Sequence, residues 1–128
     1  MLVAALVLAT LAALLHVFIF ALESVLWETP NAQKVFGMGT EEAHATREMA
    51  FNQGFYNLFL ALVTLVGVVL LASGTTGAGT ALVIAGLASM AGAALVLFVW
   101  SPDKRSAATK QGTLPVLGLA LLLIAAVA

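Results

Sequence analysis

The sequence predicts an all-α, polytopic membrane protein: a bundle of four transmembrane helices with short loops. Three observations lead there. Of 128 residues, 62% are hydrophobic and 9% charged, against roughly 25% charged in soluble domains. So few polar atoms cannot cover a water-facing surface, and lipid removes that requirement. The hydrophobic residues fall into four runs of about the length a bilayer demands, roughly 20 residues at 1.5 Å each. All five Lys and Arg residues lie between the first and second runs or between the third and fourth.

The first span is expected at about 2–24, its apolar run from Met1 to Leu22 interrupted only by His16. It lacks a basic n-region and its apolar run is too long for a cleaved signal, so it reads as a retained helix. The second is expected at about 45–72, the third at 80–100 and the fourth at 112–128, all within one domain covering 1–128. The fourth run is short, or it starts a turn earlier near Gln111; Pro115 suits a first helical turn, which supports a start close to it.

The connections have their own signals. Ser73 to Gly79 (SGTTGAG) is an uncharged, glycine-rich turn. Thr29 and Pro30 read as an N-cap and first helical residue and Gly37 as a terminator, so Pro30 to Phe36 should form a short interfacial helix. Thr40 before Glu41 and Glu42 reads as a second N-cap, from which the second membrane helix would project beyond the bilayer. The basic loops hold Lys34, Arg47, Lys104, Arg105 and Lys110. The positive-inside rule makes them cytoplasmic, with both termini outside a cell (inner) membrane.

Composition also excludes functions. A net charge of −1 with five basic residues gives no surface for nucleic acid. The absence of cysteine removes disulfides and thiolate chemistry. The two histidines, His16 and His44, belong in different layers, so neither a metal site nor a cofactor is expected.

Close packing in lipid favours small residues. Ala5, Ala9 and Ala13 in the first span, and Ala81, Ala85, Ser89 and Ala93 in the third, repeat every four residues. Both stripes are expected to pack inside the bundle; the alternative is that one is the seam of a homo-oligomer.

Polar residues gather towards the cytoplasmic ends of the first two spans, with His16 about 10 Å deeper than Glu23. On a regular helix His16, Phe20, Glu23 and Trp27 share an arc of roughly 60°, and Asn52, Gln53, Tyr56 and Asn57 one of about 140°. Trp100 ends the third span at similar depth. Each residue has a plain reading: Glu23 as interhelical glue, His16 as a satisfied core histidine, Trp27 and Trp100 as belt anchors. His44, Glu41, Glu42 and Glu48 read as a solvated helix face. Concentration argues for a site, because four polar side chains opposite one carboxylate exceed what adhesion of two helices needs. His16, Glu23, Trp27, Asn52, Gln53, Tyr56, Asn57 and Trp100 are therefore the candidate ligand-binding residues.

The stretches HVFIFALESVLW (His16 to Trp27), KVFGM (Lys34 to Met38) and AFNQGFYNLFLAL (Ala50 to Leu62) resemble small bacterial integral membrane proteins of domain of unknown function family 1304. The resemblance spans nearly the whole chain and is richest in motifs in the first half. It implies four spans and, as hallmark positions, His16, Glu23, Trp27, Phe36, Asn52, Gln53, Gly54, Tyr56 and Asn57. It implies no settled activity.

Three functions compete. The first is binding or transport of a small amphipathic molecule or lipid, cationic by the logic of a carboxylate beside aromatic faces. The second is a membrane enzyme, an isomerase or lipid-modifying activity, using His16 or Glu23 as general acid or base. The third is an accessory subunit docking another membrane protein.

Overall fold

A computed structural model describes residues 1–127. The expected end of the last span at Ala128 lies outside them. The order is α1 (Leu2–Phe20) continued by a π-turn (Ala21–Val25), α2 (Pro30–Phe36), α3 (Thr40–Ala72), α4 (Thr76–Trp100), a 3₁₀ turn (Pro102–Lys104) and α5 (Arg105–Val127). Four of these stretches are long and apolar enough to cross a membrane. Neighbours pack in a ring, α1 against α3 and α5, and α4 against α3 and α5. This is a four-helix bundle. Only 22–28% of each span's most apolar stretch is buried, so Val7, Leu11, Phe59, Val66, Val96 and Leu123 face outward. A bilayer is the surrounding that makes such a surface stable.

Small residues let the backbones approach. The buried line of α3 runs Ala43, Ala50, Gly54, Asn57, Ala61, Thr64, Gly67 and Leu71, close to the alternating three-and-four spacing of left-handed helix packing. A Cβ on Gly67 would stand 2.7 Å from the Val83 nitrogen, and one on Gly86 would collide with Thr64 Oγ1. The main core lies away from α2 and joins Ala5, Ala9, Ala12, Leu71, Val83, Leu87, Met90 and Leu122. A smaller one, Leu22, Ala32, Met38 and Ala43 with Trp27 and Phe36, sits under α2.

Several expectations change. Ala5, Ala9 and Ala13 are buried, but Ala81, Ala85, Ser89 and Ala93 are all exposed. The inner face of α4 is Gly79, Val83, Gly86, Leu87, Met90 and Ala94, because the glycines there permit closer contact with α3 than alanine can. The α3–α4 turn is shorter than expected: α4 begins at Thr76, and Gly79 lies inside it against Leu71. α5 begins at Arg105, not near Gln111, and holds Pro115 in its interior. Its first two turns carry charged and hydroxyl side chains suited to the headgroup layer, and Ala108 and Gly112 still pack inward. Thr29 caps α2 through Ala32 N, and Gly37 ends it with φ 63°, as the sequence predicts. The cap of α3, however, is Gly39, one residue before the expected Thr40.

Candidate functional site

The site begins with a register change. From Ala21 to Val25 the helix is π-wound, closed by Leu26 N donating to Ala21 O at 2.9 Å. One extra residue per turn rotates whatever follows, and such bulges recur at functional sites. The straight-helix arc drawn through Glu23 and Trp27 therefore does not hold. Glu23 is turned onto α3, and Trp27 lies beyond the helix in the turn leading to α2.

Gly54 makes the approach possible. A Cβ there would collide with Ser24 Oγ and stand 3.1 Å from Glu23 Cβ and Phe20 O. Across this contact Asn57 Nδ2 donates to Glu23 Oε2 at 2.7 Å and more weakly to Gln53 O at 3.3 Å. Ser24 Oγ donates to Phe51 O at 2.8 Å. Trp27 Nε1 donates to Ala43 O (3.1 Å) and Thr46 Oγ1 (3.2 Å), while its ring meets Phe36 at 4.9 Å. One indole thus ties the turn to α3 and to α2. Phe20, Phe51 and Phe59 surround Phe55 at 5.1, 5.1 and 6.2 Å on the adjoining flank.

These contacts border an open groove of about 650 Å³ between the π-turn and α3. It is lined by Glu23, Ser24, Val25, Trp27, Glu28, Thr29, Arg47, Glu48, Phe51 and Asn52. Three carboxylates face one guanidinium there, beside two aromatic rings. Its size is that of small-molecule sites, which run from about 300 to 1,000 Å³.

Of the eight residues singled out from sequence, the structure brings Glu23, Trp27 and Asn52 to this groove, with Asn57 holding Glu23 from behind. Gln53 is exposed and contributes only a backbone carbonyl. Tyr56 is 61% exposed and Trp100 85% exposed; neither lines the groove. Tyr56 turns about 100° away from Asn57 on α3, and Asn57 is the buried member of the arc, bonded to Glu23. His16 is fully buried: Nδ1 donates to Ala12 O at 2.8 Å, and Nε2 has no partner among the described residues. It does not open on the groove, and it differs from the satisfied core histidine that its plain reading expected.

Sequence reasoning missed Glu28, Arg47 and Glu48 as groove residues. Glu48, Phe51 and Asn52 stand at i, i+3 and i+4, one face of a helix, and that spacing was the available signal. Glu28 could not be found so, because its place depends on the turn after α1; it also pairs with His44 at 2.8 Å on the surface.

Helix lengths, outward apolar faces and small-residue contacts define a multi-pass membrane protein with a polar groove at one end. The chain belongs to the family described as protein of unknown function (DUF1304), whose model matches residues 10–123. No curated protein and no solved structure matches it.

Proposed function

We propose that the protein binds a small amphipathic cation in the groove between the π-turn and α3. The observation that carries this is the sign of the lining: Glu23, Glu28 and Glu48 against Arg47 alone, with Trp27 and Phe51 as apolar walls. Glu23 is the charge partner, since Asn57 fixes its carboxylate at the bottom of the groove. Asn52 orients polar atoms of the ligand, and the aromatic faces add cation–π attraction. Transport across a cell membrane would start from the same groove. With the basic loops on the cytoplasmic side, the groove opens to the cytoplasm and both termini lie outside.

The enzyme reading needs His16 and Glu23 at one substrate, and the burial of His16 speaks against it. The association reading has one observation in its favour: the outward Ala81, Ala85, Ser89 and Ala93 stripe suits a second transmembrane helix from another copy or another protein.

The test is binding of tetraphenylphosphonium, a lipophilic cation, to the purified protein. Glu23→Gln keeps an oxygen for Asn57 and removes the charge. At about 4 Å and an effective dielectric of roughly 20–80, one charge is worth about 1–4 kcal/mol, so affinity should fall about fivefold or more. Unchanged affinity in this variant would sink the proposal.

A further inference from the structure

A second groove, of about 480 Å³, opens on the other flank of α1, between α1, α2 and α5. Its construction differs from the first. One wall is Leu15, Phe18, Ile19 and Leu22, a continuous apolar face at i, i+3, i+4 and i+7 that descends about 10 Å along α1. Its mouth carries Lys34 from α2, Lys104 from the 3₁₀ turn and Lys110 from α5, with Asp103 as the single acid. Lys104 is held in place: Nζ donates to Phe36 O at 2.6 Å and lies 4.0 Å from Asp103. Lys34 and Lys110 are exposed and make no ion pair among the described residues. Two segments distant in sequence, α2 and the 3₁₀ turn with the start of α5, thus bring ammonium groups to the rim of one apolar slot.

We propose that this groove binds an acidic phospholipid, its phosphate held by Lys34 and Lys110 beside Lys104 and one acyl chain lying along Leu15, Phe18 and Ile19. Charge complementarity selects the headgroup, since the mouth carries three cations against one anion, and basic pockets between membrane helices suit such lipids. The apolar wall selects a chain-bearing ligand over a soluble phosphate. The site is separate from the Glu23 groove and of opposite sign, so either proposal can fail alone.

The experiment reconstitutes the protein in vesicles of equal phosphatidylglycerol and phosphatidylcholine, extracts it in non-ionic detergent and counts retained lipid by native mass spectrometry. The expected result is a preference for phosphatidylglycerol of about tenfold or more, from at least two ammonium groups at the surface. Lys34→Gln combined with Lys110→Gln should erase the preference. Ile19→Trp, which fills the slot and leaves every lysine, should lower retention of both lipids. A single monodisperse peak on gel filtration and an unchanged melting temperature in detergent should be kept in each, showing that the variants fold. If the glutamine pair fails to fold, Ile19→Trp and the charge-conserving Lys34→Arg with Lys110→Arg, which should keep the preference, still decide. Equal retention of the two lipids by the unmodified protein overturns the proposal. So does displacement of phosphatidylglycerol by glycerol phosphate together with an ineffective Ile19→Trp, which would mark a site for soluble phosphate.

Discussion

The two grooves flank the same helix end and differ in almost every respect that matters to a ligand. On the α3 side the backbone is rewound into a π-turn, Gly54 admits it closely, and the lining is acidic and aromatic. On the α5 side the wall of Leu15, Phe18, Ile19 and Leu22 is apolar, and the rim is basic. Trp27 and Phe36 stand between them, packed against each other at a tilt of 55°. A small bundle can hold two chemically opposed openings at one level because helices separate them. The charge that lines each comes from loops and helix ends, where the headgroup layer tolerates it.

The largest effect that would break this contrast is expected from Gly54→Leu. Its side chain has no room beside Ser24, Glu23 and Phe20, and overpacking of this kind costs typically about 1–3 kcal/mol. The melting temperature in detergent should drop, and the cation should no longer bind. Retained phospholipid would show that the α5 side stands on its own; its loss together with the cation would show that the grooves are not independent.

Next comes Glu23→Ala, which leaves Asn57 Nδ2 without its carboxylate. Interhelical hydrogen bonds in membranes are worth about 0.6 kcal/mol on average and up to about 1.7, so stability should fall within that range. Glu23→Gln should stay within about 0.5 kcal/mol, because the oxygen remains. Equal destabilisation by the two would mean the bond contributes little.

Trp27→Phe removes the donor to Ala43 O and Thr46 Oγ1 and should cost about 1 kcal/mol. Standing between the grooves, it should weaken both ligands by a few-fold in parallel titrations. An effect on the cation alone would show that Trp27 acts only as a wall of the first groove. The smallest effect belongs to His16→Leu. His16 lines neither groove, and its replacement removes an unpaired buried nitrogen, so stability should hold or rise by up to about 1 kcal/mol with both ligands unaffected. A loss of cation binding in this variant would reopen an enzymatic role for His16.

Sequence and structure agree where periodicity or capping decides, and part where a neighbour decides. The four spans, the Thr29–Gly37 frame of α2 and the inward Ala5–Ala9–Ala13 stripe follow from local chemistry. The α4 stripe has the same spacing and points outward, because the direction of a small-residue face depends on whether a neighbouring line, here Gly79, Gly86 and their α3 partners, packs more closely still. The π-turn has no residue signature between Phe20 and Leu26; it reflects the fit of Glu23 and Ser24 against Gly54 of another helix. For that reason Glu23 and Asn57 could be selected from sequence, whereas Tyr56, Gln53 and Trp100 could not be separated from them. The basic groove was illegible because Lys34 meets Lys104 and Lys110 only where the end of α2 reaches the 3₁₀ turn, the contact that Lys104 makes with Phe36 O.

The most direct measurement is a pair of tetraphenylphosphonium titrations by calorimetry, on Glu23→Gln and on the Lys34→Gln and Lys110→Gln double variant, against the unmodified protein. The account predicts a fall of about fivefold or more in the first and no change in the second. Equal affinities across all three proteins, or a loss confined to the lysine variant, would contradict it.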